Sequence, residues 1–244
     1  MSSQPPLKVG YSLMCAIDKD LRERIRSAGI ALGFSQVRFT GAESLPHLEA
    51  YQNWLVSGMN GGMSYLSSQY QKRFQPSQLL PEAQTCIVVS WRYPILGSEP
   101  KGSPPKGYGL IARHATAPDY HPTIRALLEL YVRQIFAFYG QSFPYAICVD
   151  SASLLEKELA VKAGLGFMGK NTLVISPGSG SFFLIGVLLI SQKIKPDIPL
   201  QDACGGCEAC LNACPTVHRI SHLRNERENP GQSPREVSTL DIRM

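Results

Sequence analysis

Cys204, Cys207, Cys210 and Cys214 fall within eleven residues of a 244-residue chain that holds seven cysteines in all. Their spacing, Cys-x2-Cys-x2-Cys-x3-Cys-Pro, is that of the thiolate runs that ligate [4Fe-4S] clusters in bacterial ferredoxins. Three thiolates placed two residues apart are offered by one tight turn to three corners of a cuboid, and the Gly205-Gly206 pair tolerates the twist this needs. The fourth cysteine of such a run points away, and in two-cluster ferredoxins it serves the other cluster. Zinc is the competing chemistry. Cys204-x2-Cys207 is followed by His218-x3-His222, a Cys2His2-like set, although the ten residues between Cys207 and His218 fall short of the usual interval of about twelve. On spacing alone both metals remain open.

The elements that position this run belong to an ordinary folded body. Hydrophobic residues make up 44% and charged residues 18% of the chain, and the length suits one main domain with a small appendage. A net charge of +5 is compatible with a polyanionic partner such as nucleic acid. The opening MSSQPPLKVG has no apolar stretch of the secretory kind, and SFFLIGVLLIS (181–191) is too short to cross a bilayer as a helix. A cytoplasmic protein with no membrane partner is therefore expected. Cys15, Cys86 and Cys148 stand singly and read as small buried hydrophobes in a reducing compartment.

Periodicity predicts a helix over 18–34, a strand at SQVRFT, a helix over 47–57 and a buried strand at TCIVVSW (85–91). YPILGSEPKGSPPKGYG (93–109) reads as a long surface loop. Ile124, Leu127, Leu128, Tyr131, Val132, Ile135 and Phe136 have helical spacing over 122–139, closed by Gly140. PYAICVD is a strand ending at Asp150, LLEKELAVKAG a helix stopped at Gly164, and TLVIS and FFLIGVLLI are strand-like runs around PGSGS. Strands and helices mix without a βαβ repeat, so the expected class is α/β in the sense of an α+β sandwich, one sheet covered by helices, with a small ferredoxin-like iron-sulfur segment at the C-terminal end. After Thr216 the chain is charged and poor in apolar residues, the composition of a disordered tail.

Several separated segments, in order, resemble those of the epoxyqueuosine reductase family. They are GGMSYL (61–66), LLPEAQTCIVVS (79–90), ARHATAPDYH (112–121), VDSA (149–152), LEK (155–157), AGLGFMGKN (163–171) and GSFFLIG (180–186), followed by the cysteine run. The resemblance covers about residues 20–216. It implies a fold related to reductive dehalogenases, cobalamin and [4Fe-4S] clusters as cofactors, an electron-donor protein, and reduction of epoxyqueuosine in the tRNA anticodon region to queuosine. The implied division is a cobalamin-binding domain over 1–197, a partial iron-sulfur segment over 198–216 and a tail over 217–244. The implied metal ligands are Cys204, Cys207, Cys210 and Cys214.

By the same resemblance Asp150 of VDSA is the proton donor. A carboxyl at a strand's end, flanked by Ser151 and Ser153, is placed to donate if burial raises its pKa. It is equally suited to cap the helix that follows. Corrin contacts fall by position on Arg113, Asn171, Val174 and Ile185, for which a surface ion pair or plain core are the ordinary alternatives. The Gly164, Gly166, Gly169 series reads as a turn, and no GxGxxG or phosphate-loop signature competes for the site.

The chain departs from the family at Asn171, where His is common, and at Ala117-Pro118, which replaces Gly-Arg before DYH. Family members also carry a second cysteine run and a helical-repeat tail beyond the first run, so this chain reads as C-terminally truncated. Without the second run Cys214 must fold back to close one cluster, a partner must supply ligands, or the cluster is incomplete. The reading is an epoxyqueuosine reductase-like oxidoreductase. Its alternative is a non-catalytic cobalamin- or iron-sulfur-binding protein.

Overall fold

The computed structural model describes residues 10–68, 70–93, 106–109, 111–201 and 203–213, with side chains from residue 20 onward. Most of the loop over 93–109, the tail, the Cys15 side chain, Cys214, His218 and His222 lie outside these described residues. In chain order the main elements are α1 (Gly10–Ala31), β1 (Gln36–Gly41), α2 (Leu48–Val56), α3 (Tyr70–Arg73), β2 (Thr85–Arg92), α4 (Tyr120–Tyr139), β3 (Tyr145–Cys148), α5 (Glu156–Lys162), β4 (Phe167–Met168), β5 (Val174–Ile175), β6 (Phe183–Ile190) and α6 (Ala209–Asn212).

The two longest apolar runs become the centre of a four-stranded antiparallel sheet ordered β1-β2-β6-β3. Side chains alternate between faces along a strand, so the Cys86↔Leu189, Ile87↔Leu188 and Val88↔Val187 pairs supply two cores at once. Ile87, Val89, Leu188 and Ile190 pack with Ile25 of α1 and with Ile124, Leu128, Tyr131, Val132 and Ile135 of α4. Cys86, Val88, Val187 and Leu189 pack with Leu159 and Ala160 of α5, Leu45, Phe74 and Leu80. That two-sided burial explains apolar runs without polar alternation, and each large aliphatic side chain so buried contributes about 1.5–3 kcal/mol. The mixed sandwich read from the sequence is thus a helix-covered antiparallel sheet, with a separate two-stranded β4-β5 ladder beside it.

Helix boundaries follow local chemistry. α4 begins at Tyr120, two residues ahead of Pro122, because the Asp119 carboxylate accepts the His121 N–H at 2.9 Å and proline needs no N–H partner in a first turn. α1 starts before residue 18 and stops at Ala31, where Gly33 (φ 100°) turns Phe34 into the core. α5 spans 156–162, shorter than LLEKELAVKAG, since Leu154 is itself packed into the core.

The free edge of β1 is covered by the segment after β6. The Asp197 N–H donates to the Phe39 carbonyl and the Phe39 N–H donates to Asp197 Oδ2, both at 2.8 Å. Arg22 and Arg26 of α1 close on the same carboxylate and lie over the Phe39 ring. Gly164 (φ 74°) ends α5 against this segment, where a Cβ would meet the Ile198 carbonyl oxygen at 2.3 Å. Gly166 likewise admits the Ile175 carbonyl of β5. The glycine series is therefore demanded by packing.

Candidate functional site

One end of the sheet gathers the chemistry. Gln36 pairs with Ser90, Arg92 with Phe183, and β3 ends at Cys148 opposite Val187, so the start of β1, the exit of β2, the entry of β6 and the exit of β3 converge there. Val149 is buried, and the chain turns immediately beyond it at Asp150, which adopts the left-handed conformation (φ 54°).

The Asp150 carboxylate accepts the Tyr120 hydroxyl at Oδ2, 2.6 Å away, and His121 Nε2 stands 3.5 Å from the same oxygen. His121 Nδ1 lies 2.6 Å from Asp119 Oδ1. If that nitrogen donates to Asp119, Nε2 of the neutral ring is an acceptor, and its approach to Asp150 is favourable only when the pair holds a proton. Burial, and then the bond to Asp150, raise the Tyr120 hydroxyl well above its ordinary value, so it stays a donor. The bonds from the His121 backbone N–H and ring lower Asp119. The Asp150 backbone N–H donates to Glu156 Oε1 at 2.7 Å, and burial pushes the Glu156 carboxyl up to about 7.

The Asp150 side chain is 61% exposed rather than buried, and its partners Tyr120 and His121 hold it. Nor does it cap α5, whose N-cap position is Leu155 and has no side-chain cap. The carboxylate reaching back to the turn is Glu156, in the helix's own first position.

Arg113 sits in a single 3-10 turn (Arg113–Ala115) with its guanidinium over Phe182, 5.5 Å from the ring centroid, and Phe182 meets Tyr93 edge-on. Asn171 holds its own turn by accepting the Leu173 N–H at Oδ1, 3.2 Å. Val174 is buried in the second core, so its side chain is already occupied, whereas Ile185 is only half-buried. Met168, Leu173 and Phe182 are exposed apolar side chains.

Cys204 and Cys207 flank a turn closed by the Cys207 N–H to Cys204 carbonyl bond (3.0 Å), with Gly205 left-handed (φ 45°), and Cys210 follows in α6. Lys170 binds this turn twice, donating to the Gly205 carbonyl at 2.8 Å and the Cys207 carbonyl at 2.9 Å. The donor types suit an iron-sulfur cluster or zinc, but among the described residues no three His, Cys, Asp or Glu side chains are gathered closely enough to hold a metal ion. Cys86 and Cys148 are buried with thiols pushed up to about 12, consistent with inert core residues.

Sequence reasoning missed Tyr120, His121, Glu156 and Lys170 as site residues, although DYH, LEK and GKN stood among the quoted segments. The available signal was the run of three hydrogen-bonding side chains at a helix start.

Residues 73–151 match the family described as Epoxyqueuosine reductase QueG, DUF1730. The chain is 38% identical over 211 residues to the epoxyqueuosine reductase of Pseudomonas aeruginosa, covering 84% of this chain and 57% of that protein. It is 36% identical over 197 residues to that of Salmonella typhimurium, covering 80% and 51%. The solved structure of epoxyqueuosine reductase from Streptococcus thermophilus superposes with a TM-score of 0.68 at 29% identity, covering 81% of this chain and 53% of that one. The chain thus spans about half the length of the curated relatives it matches.

Proposed function

Because the chain belongs to the epoxyqueuosine reductase family over the part of those proteins that it spans, we propose that it performs the family's reduction, converting the epoxide of epoxyqueuosine in tRNA to the alkene of queuosine in the cytoplasm. The observation that carries this reading is the Asp150 carboxyl at the open end of the sheet, bonded by Tyr120 and faced by His121.

The reaction consumes two electrons and two protons, breaks both C–O bonds of the epoxide and releases its oxygen as water. Asp150 is the acid that delivers a proton to the departing oxygen. With Oδ2 accepting the Tyr120 hydroxyl, Oδ1 is left to carry the proton, and His121 Nε2, 3.5 Å from Oδ2, is the imidazole nitrogen that faces the carboxyl. Cobalamin, when bound, supplies a strongly reducing, nucleophilic metal centre. Exposed Met168, Leu173 and Phe182 with half-buried Ile185 offer it an apolar shelf, and Arg113 and Asn171 offer polar contacts at its edge. Val174 supports that shelf from beneath. Cys204, Cys207, Cys210 and Cys214 would hold a [4Fe-4S] cluster, whose chemistry is one-electron transfer from a donor protein. The division into a corrin-holding body over 1–197, a cysteine segment over 198–216 and a tail over 217–244 follows from the same reading.

The test is anaerobic turnover of an epoxyqueuosine-bearing tRNA stem-loop with added cobalamin and a chemical reductant, followed by mass spectrometry for loss of one oxygen. Conversion by the native chain and its loss in Asp150→Asn support the proposal. Full conversion by Asp150→Asn removes Asp150 as the acid. Cobalamin binding without conversion leaves a cofactor-binding protein that is not a reductase by itself.

A further inference from the structure

A left-handed, non-glycine residue persists only where its surroundings hold it, and Asp150 is held from a direction the reduction itself does not use. Val149 before it and Leu154 after it are buried, which anchors the two ends of the turn. Between them, the Asp150 N–H reaches Glu156 Oε1 at 2.7 Å. Glu156 opens α5, whose Leu159 and Ala160 are fully buried, so a rigid element delivers this carboxyl to the loop.

The geometry points to Glu156 as the positioning residue for Asp150: its carboxylate accepts the Asp150 N–H, fixes the turn, and so aims the Asp150 carboxyl at the open end of the sheet. This rests on Asp150 being the proton donor. Glu156 is half-buried, and the titratable groups that face it are Asp150, Tyr120, His121 and the Cys148 thiol. Lys157 beside it turns away to the Thr172 carbonyl at 3.2 Å. A charged acceptor makes a hydrogen bond roughly twice as strong as a neutral one. Ionised Glu156 therefore holds the turn firmly and protonated Glu156 holds it weakly. With burial pushing that carboxyl up to about 7, the change falls within the neutral range.

The experiment follows the Asp150 amide by NMR on the isotope-labelled full chain from about pH 3.5 to about pH 9, spanning the carboxyl and imidazole ranges. The expected result is a downfield movement of that amide proton on deprotonation, with a midpoint near 7, that is absent in Glu156→Gln. A flat response overturns the proposal. So does a shift that survives in Glu156→Gln, because it then belongs to His121. Glu156→Gln is isosteric and its amide spectrum reports folding directly. In turnover, Glu156→Ala is expected to lose roughly tenfold to a hundredfold in kcat with KM for the stem-loop unchanged. Glu156→Gln is expected to restore most of that rate while flattening its dependence on pH. An unaffected Glu156→Ala alongside an inactive Asp150→Asn overturns the positioning role and leaves the acid standing. An active Asp150→Asn removes the acid, and the amide titration then decides on its own whether Glu156 holds the turn.

Discussion

The Tyr120 hydroxyl and the Asp150 carboxylate, thirty residues apart in sequence, meet at 2.6 Å. The bond joins the first residue of α4 to the turn beyond β3. α4 is set against the sheet by Ile124, Leu128, Tyr131, Val132 and Ile135, so Tyr120 has a fixed origin from which to hold a carboxyl that is otherwise mostly in water. Because the Tyr120 pKa is driven upward, the hydroxyl stays protonated and donates throughout the neutral range.

Replacing Tyr120 with Phe keeps the ring and removes only the donor. The expected outcome is about a tenfold fall in kcat, the scale of one charge-assisted hydrogen bond, with cobalamin affinity unchanged. Single-turnover kinetics on the stem-loop beside a cobalamin titration would check it. An unaltered rate would mean that His121 and the Glu156-held turn suffice to orient Asp150.

Glu156 gives a stability prediction with a definite sign. Its pKa is raised on folding, from an ordinary 4.5 to about 7, chiefly by burial, while the Asp150 N–H bond pulls the other way. The folded state therefore binds this proton more tightly than the unfolded one. The resulting stabilisation is complete below about pH 4.5 and disappears as pH rises through about 7. Glu156→Gln carries no such term. Relative to the native chain it should gain on the order of 1–2 kcal/mol across that window, a figure reduced from the full shift because the site retains some water, and then run parallel above it. Denaturant unfolding at closely spaced pH values reads the difference, and parallel curves throughout would contradict the raised pKa.

Much of the scaffold was legible because it depends on local pattern. The runs at 85–92 and 183–190 could only be buried strands, and the spacing from Ile124 to Phe136 could only be one face of a helix. Within the cysteine turn one of the Gly205-Gly206 pair, Gly205, takes the left-handed position. The site was harder, because topology assembles it from segments far apart. Periodicity assigns a residue to a face but does not say which other element crosses that face. Tyr120, His121 and Glu156 therefore carried no role of their own in the sequence reading, and only the packed sheet brings them round Asp150. The same limit hid the exposure of Asp150, since strand ends carry no periodic signal, whereas Val174 is the core residue that its ordinary alternative reading described.

Asp197 is expected to matter for stability well away from the chemistry. It receives Arg22, Arg26 and the Phe39 N–H with a side chain only 9% exposed, so Asp197→Ala removes the shared partner of two guanidinium groups that lie over Phe39 and leaves the Phe39 N–H without its acceptor. Breaking a fully buried pair costs about 3–5 kcal/mol, and the partial exposure of both arginines brings the expectation down to about 2–3 kcal/mol. For a chain of this size that is a fall in Tm of about 5–10 °C, measurable by calorimetry. A change below about 0.5 kcal/mol, the range of neutral surface substitutions, would show the network to be a bystander.

Lys170 ties the cysteine turn to the loop carrying Asn171 through two carbonyls, those of Gly205 and Cys207. A hydrogen bond from an ammonium donor is worth about 1.5–3 kcal/mol, and here it acts on the turn that sets Cys204 and Cys207 relative to each other. Lys170→Met should therefore leave global unfolding unchanged while amide exchange over 204–210 accelerates roughly tenfold to a hundredfold, in proportion to the lost free energy. Lys170→Arg, which keeps the charge but spreads its donors over a planar fork, should recover only part of the protection. Exchange measured on the metal-free chain isolates this from cofactor binding. Unchanged exchange in Lys170→Met would mean the turn is held by the Cys207-to-Cys204 backbone bond alone, and the link between the cysteine segment and the body would have to be sought elsewhere.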